Sequence, residues 1–222
     1  MNIILFNCRR FITMDNLLSL ITNGFCVLEQ VIEPNYVSKL KEVALKLQNT
    51  EVAANDSKTA FYDTSSKIFN DTSMLHDTVE CVLKRYFGGK FLLNRSWLRS
   101  SYAGYKGSNW HQDASVNIIP CPIIVAIPLS DTNNTNGALR VVPRTQTLPH
   151  PCFNDKRYDA EVILNSTVGD VILFQSALWH RGGSNETNRN RDMVFTEFKS
   201  CESLTAEFDH MIYQSFQVPL NN

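Results

Sequence analysis

The sequence has no apolar run near the roughly 18 residues that a membrane-spanning helix needs. It has no excess of either charge: 21 basic residues face 22 acidic ones in 222, a formal net charge of −1. A general nucleic-acid binder would carry a basic stripe, and none is present. The six cysteines (Cys8, Cys26, Cys81, Cys121, Cys152 and Cys201) contain no C-x-x-C pair, which removes zinc-knuckle and thioredoxin-type sites by spacing. A disulfide framework is not expected either, because a chain of this size does not need one. Near the start, the apolar stretch Ile3-Ile4-Leu5-Phe6 is short and precedes Arg9 and Arg10, the reverse of a signal peptide's order. Repeats, low-complexity tracts and Pro/Gly-rich linkers are missing too.

These absences predict a cytoplasmic chain with no membrane or nucleic-acid partner, as monomer or homodimer. With 43% hydrophobic residues the chain can bury a continuous core, so one domain over 1–222 is expected. Residues 1–14 read as an irregular extension, 15–90 as helical support and 91–200 as the β core.

Asp15 to Thr22 carries apolar residues at helical spacing and stops at Asn23-Gly24. Gly24 to Gln30 reads as a short strand. Pro34 suits the first turn of a second helix, whose stripe Tyr36, Val37, Leu40, Val43, Ala44 and Leu47 follows the 3.6 period. Residues 49–73 are polar and read as a loop, either a lid or a plain exposed loop. A third helix is expected from Met74 to Phe87, ended by Gly88-Gly89. From Phe91 onward, short β-branched and aromatic runs alternate with turn clusters: 91–99, 113–119, 123–129, 138–142, 160–164, 170–179 and 191–199. Many short strands at this spacing predict an α+β chain, with N-terminal helices packed on one sheet of a β-sandwich or barrel.

Chemistry concentrates in Trp110-His111-Gln112-Asp113. On extended backbone, residues two apart face the same side, so His111 and Asp113 can aim an imidazole and a carboxylate at one point. A third ligand from a distant strand would complete a two-histidine, one-carboxylate facial triad with open metal positions. Alone, H-x-D is a weak signal, since both residues are common at strand ends. His180 is the candidate third ligand, at the end of the apolar run from Val171 to Trp179; taken by itself it reads sooner as a histidine capping a buried strand. Residues 190–198 read as a return strand pairing with the one that ends at His180. That pairing would bring Arg191 near the metal end, where a guanidinium suits capture of a carboxylate. Arg189 is its rival, but Asn188 to Asn190 reads as turn. Gln112 is either a donor to a cosubstrate or a solvent-facing residue. Arg99, Arg140 and Arg144 are candidate anchors for an acidic group on a substrate, or ordinary surface arginines. Trp110 and Trp179 read as packing residues; His76, His150 and His210 have no ligand-spaced partner.

With these motifs in order, the sequence resembles the phytanoyl-CoA dioxygenase branch of the Fe(II)/2-oxoglutarate oxygenases. The blocks that carry the resemblance are Ile21 to Glu29 with Pro34, Trp110-His111-Gln112-Asp113, Asn136-Gly137-Ala138-Leu139-Arg140-Val141-Val142-Pro143, Val168-Gly169-Asp170-Val171 leading to His180, and Asn185 with Arg191. The resemblance implies a double-stranded β-helix (a jelly-roll, cupin-like sandwich) with Fe(II) held by His111, Asp113 and His180. It implies 2-oxoglutarate on Arg191, consumption of O2, and hydroxylation of a small-molecule substrate with release of succinate and CO2. A carboxylate at Asp113 points to hydroxylation over halogenation. The family often continues its Val-Pro segment as Pro-Gly-Ser-His, where this chain has Pro143-Arg144-Thr145-Gln146. Two other readings remain, a protein or peptidyl hydroxylase and a catalytically silent jelly-roll that only binds.

Overall fold

The computed structural model describes residues 14–50, 54–56, 59–63, 77–148 and 160–201. Three helices form where the periodicity places them: α1 (Met14–Thr22), α2 (Pro34–Thr50) and α3 (Asp77–Phe87). Between the first two lies β1 (Phe25–Leu28). The remaining strands are β2 (Ala54–Asp56), β3 (Thr59–Asp63), β4 (Phe91–Ser101), β5 (Ile123–Pro128), β6 (Leu139–Val141), β7 (Val162–Leu164), β8 (Val171–Gln175), β9 (His180–Gly182) and β10 (Arg191–Ser200).

They build two facing antiparallel sheets. The larger has seven strands in the order β1-β8-β5-β10-β4-β3-β2, and the smaller has three in the order β7-β6-β9. Strand alternation sends one set of side chains to each face of the large sheet. Leu98, Val125, Leu173 and Val194 point outward and bury Leu20, Val37, Leu40, Val79, Val82 and Leu83 of the helices. Ile124, Ala126, Ile172, Phe174, Met193 and Phe195 point inward and meet Leu139, Val141 and Leu164 of the small sheet. The result is the expected α+β jelly-roll, its helices packed on one sheet. No described helix is long and apolar enough to cross a membrane.

Three expectations need correction. The polar segment read as a loop contains β2 and β3, which extend the large sheet past β4. At three and five residues these strands are too short for a period-2 pattern to register. Residues 113–119 are irregular, not a strand. The chain from Arg191 does not pair with the strand leading to His180: β10 lies between β4 and β5, while β8 pairs with β1 and β5 and β9 with β6. The apolar run 171–179 in fact holds a sheet change. β8 ends at Gln175, and the chain crosses to the small sheet before His180.

The turn into β8 is fixed by Asp170. Its carboxylate accepts from the Thr167 amide (2.7 Å) and hydroxyl (3.0 Å), and from the Gln30 amide (2.9 Å) and side chain (3.0 Å). Burial alone would raise its pKa, but these donors outweigh it and hold the group below the ordinary carboxylate range. Asp170→Ala should cost about 2 kcal/mol of unfolding free energy, from the loss of charge-assisted hydrogen bonds. A depressed folded-state pKa contributes stability above the unfolded value, and that stability is lost as pH falls through the folded one. Denaturant melts should therefore show the gap between wild type and variant closing on acidification.

Candidate metal and 2-oxoglutarate site

His111 and His180 come together through one pair of backbone hydrogen bonds. The His111 amide donates to the His180 carbonyl (3.0 Å), and the His180 amide donates back (3.1 Å). The bridge is isolated: His111 is paired, but Asp113 lies in a bend just beyond it, so the segment is not the strand expected of the H-x-D spacing. Two residues on, the amides of Asp113 (2.7 Å) and Ala114 (3.2 Å) both donate to the Ser176 carbonyl. The motif is thus laced onto the crossover between the sheets. Gln112 is part of that lacing: its side-chain nitrogen donates to the carbonyls of Ala177 (2.6 Å) and Leu148 (3.2 Å).

The imidazole rings of His111 and His180 have centroids 4.3 Å apart. Nε2 of His111 lies 3.7 Å from one Asp113 carboxylate oxygen, and Nε2 of His180 lies 3.5 Å from the other. The three side chains can present ligand atoms all within 4.8 Å of one another, the only such group among the described residues. On each histidine, Nδ1 lies 2.8 Å from the carbonyl two residues back, Asn109 for His111 and Leu178 for His180. A carbonyl only accepts, so Nδ1 carries the hydrogen. In the neutral ring, Nε2 then keeps its lone pair for a metal.

The electrostatics suit a cation. Burial, then the neighbouring His180, lowers the His111 pKa to about 4, against the opposing pull of Asp113. Burial works to raise the Asp113 pKa, but His180 and His111 outweigh it, and the carboxylate stays ionised far below its usual range. Two imidazoles, each fixed by a backbone carbonyl, and one carboxylate match a divalent metal of the iron class.

Arg191 begins β10 and is 2% exposed, opposite Ser101 of β4. Its Nε and Nη1 are buried and find no acceptor among the described residues. Burial, then the neighbouring Arg99, lowers its pKa to about 10. An orphaned guanidinium inside a jelly-roll calls for an anion. Room for it depends on Gly137, at φ +91°, where a Cβ would lie 3.2 Å from the guanidinium. Gly137→Ala should therefore cost about 1–2 kcal/mol in stability through the left-handed backbone alone, and weaken 2-oxoglutarate binding as well. Thermal melts with and without 2-oxoglutarate separate the two effects.

The other candidates sort clearly. Arg189 and Arg144 are exposed, and Arg144 engages the end of α1 through Asn23. Arg140 pairs with Glu161 and Asn134, and Arg181 shares the same glutamate while lying over the Trp110 ring. Of the three proposed anchors, only Arg99 occupies the inner face. Trp179 is buried beside His180, as expected of a packing residue. Gln146, where the family often has histidine, donates instead to the carbonyls of Ile21 and Thr22. His76, His150 and His210 lie outside the described residues.

Two contributors carried no role in the sequence reading. Asn185, wholly buried, donates to the carbonyls of Ser101 and Arg189 and accepts from Thr187, and so shapes the loop that delivers Arg191. Tyr105 accepts from Arg99 at 2.6 Å. The motif block containing Asn185 was the only signal for the first, and nothing in the pattern marked the second.

Fold and site together define a double-stranded β-helix built to hold a metal between its sheets. The phytanoyl-CoA dioxygenase family model matches residues 21–193, and the chain belongs to that family. It is accordingly an Fe(II)- and 2-oxoglutarate-dependent enzyme, with a His-Asp-His group of the kind such enzymes use. No curated protein sequence matches it. Among solved structures it is similar to AviO1 from Streptomyces viridochromogenes (TM-score 0.71, 18% identity, covering 85% of this chain and 95% of that one). It is also similar to SnoN, the non-heme alpha-ketoglutarate-dependent epimerase of nogalamycin biosynthesis (0.74, 14%, 84% and 80%). A third is EctD from S. alaskensis, solved with 2-oxoglutarate and 5-hydroxyectoine (0.72, 18%, 86% and 77%). At these identities the likeness establishes the fold.

Proposed function

We propose that the protein hydroxylates a small-molecule substrate, using Fe(II), 2-oxoglutarate and O2 and releasing succinate and CO2. The observation that carries this reading is the pairing of the His111–Asp113–His180 cluster with the orphaned buried guanidinium of Arg191. When bound, the iron supplies the oxidative chemistry by activating O2 with 2-oxoglutarate as electron donor. The chain supplies placement. His111, Asp113 and His180 would hold the metal. Arg191 takes the far carboxylate of 2-oxoglutarate, which orients the 2-oxo acid end toward the metal. Gln112, anchored to Ala177 and Leu148, positions the two ligands on either side of it; that engagement favours a supporting role over direct contact with cosubstrate.

SnoN, with the same fold, is an epimerase, so product analysis is the discriminating experiment. Aerobic incubation of Fe(II)-loaded protein with 2-oxoglutarate and a library of small polar and polycyclic metabolites should give succinate coupled to a product heavier by one oxygen. A product of unchanged mass and inverted stereochemistry would replace hydroxylation with epimerisation. Oxygen added only to peptides supplied in place of that library would replace the small-molecule reading.

A further inference from the structure

The two histidines of the site are held unequally. The His180 side chain is 6% exposed and the His111 side chain 29%. His180 belongs to β9, which pairs along β6, and its ring packs against Phe174 with centroids 4.8 Å apart. His111 reaches the small sheet through its single bridge to His180. The next contact back along the chain is at Ser108, whose amide donates to the Gly182 carbonyl (3.0 Å). Between those contacts Asn109 and Trp110 stand against the single residue Arg181, a bulge in the pairing. That bulge sets the ligand: the Asn109 carbonyl lies 2.8 Å from Nδ1 of His111, so backbone on one side of Trp110 orients the ring on the other.

What holds the bulge lies on the outer face of the small sheet. Strand alternation turns Leu139, Val141 and His180 inward, and Arg140 and Arg181 outward. The Arg181 guanidinium lies over the Trp110 ring, 4.9 Å from its centroid, where the ring's electron-rich face attracts a cation. Arg140 and Arg181 are directly opposite in the β6–β9 register, and like charges so placed oppose pairing. Glu161 offsets that repulsion with one carboxylate oxygen for each arginine, Arg181 Nη2 donating at 3.1 Å. Asn134 holds Arg140 from its other side, and Arg181 is the member that reaches on to Trp110. The row therefore runs from the middle strand of the small sheet to the residue before His111.

We propose that Arg181 and Trp110 are positioning residues for the metal site: the guanidinium clamps the indole from outside and so holds the Asn109 carbonyl and the His111 ring in ligand geometry. The inference rests on the His111–Asp113–His180 metal site proposed above. Both residues act through His111 from the opposite face of the sheet. Their contribution is to metal affinity and to closure of the His111–His180 bridge. Losing a group that orients a ligand weakens metal binding about 10–100-fold, and a clamp on one ligand of three belongs at the low end.

Mn(II) binding to the metal-free protein, followed by electron paramagnetic resonance, tests this without turnover. Hydrogen exchange at the His111 and His180 amides, which form the bridge, is read beside it. Arg181→Met and Trp110→Leu should each weaken Mn(II) about tenfold and speed exchange at both amides. Arg181→Lys keeps a cation over the ring and should stay within about threefold of wild type. Both substitutions break one contact, so the double variant should be at most about twofold weaker than either single one. Unchanged Mn(II) affinity in both single variants, whatever their melting temperatures, would overturn the inference and leave the metal site intact. Equal losses in Arg181→Met and Arg181→Lys, or losses that multiply in the double variant, would overturn it too. A wild type that does not bind Mn(II) would defeat the metal site and the inference with it. Should Trp110→Leu fail to fold, the contrast between the two Arg181 variants decides.

Discussion

Arg191→Met is expected to make the protein more stable without ligand and nearly blind to 2-oxoglutarate. The guanidinium is 2% exposed, two of its nitrogens are orphaned, and Arg99 lies nearby. Exchanging such a group for an apolar side chain of similar length removes a desolvation cost that nothing in the described structure offsets. A gain on the order of 1–2 kcal/mol is expected. The same exchange deletes the charged partner of a buried carboxylate, a loss of about 2–5 kcal/mol in binding, or roughly 30- to several-thousandfold in affinity. Thermal melts at saturating 2-oxoglutarate should therefore cross. Wild type gains about 2.7 kcal/mol when the ligand is present at a hundred times its dissociation constant, and the variant gains almost nothing. A variant less stable than wild type without ligand, yet stabilised equally by 2-oxoglutarate, would show that Arg191 is a structural residue.

The second large effect is expected at Asp113. Asp113→Ala leaves both imidazoles in place, because His111 and His180 are fixed by their own backbone bridge and by carbonyls at Nδ1. It removes the anionic ligand and the charge that offsets a divalent ion. Losing a residue that merely supports a ligand costs 10–100-fold in metal affinity, so losing the ligand itself should cost more than about a hundredfold. The fold should survive, since the variant keeps the backbone amide that donates to Ser176. Far-UV circular dichroism should be unchanged while metal retention after dialysis collapses. Unaltered metal content would mean that the ion sits elsewhere.

The legible parts of this protein were those written in local pattern. The stripe on α2 and the Asn23-Gly24 stop after α1 translate directly into burial and chain reversal. The H-x-D motif marked the right residues, although its two ligands meet through one bridge at His111 and a bend at Asp113 and not along a strand. Pairing across the sandwich was not legible. The apolar run 171–179 looks like one strand, since periodicity cannot register that the chain changes sheets after Gln175 when both halves are buried. Arg191 reaches the interior through a strand between β4 and β5, not through the hairpin that the sequence suggests. Gln112 and Arg99 illustrate the same limit at the site. Neighbouring positions in sequence said nothing about which side chain would be tied to backbone carbonyls and which would reach across toward Gly182.

In the proposed site, His111, Asp113 and His180 hold a metal beside a 2-oxo acid that Arg191 anchors. The most direct test is anaerobic titration of 2-oxoglutarate into the Fe(II)-loaded protein, followed by visible absorption. A metal-to-ligand charge-transfer band should grow to saturation at one equivalent of metal in wild type. It should be missing in His180→Ala and need far more 2-oxoglutarate in Arg191→Met. A band equally strong in all three proteins, or none in wild type that retains its iron, would contradict the claim.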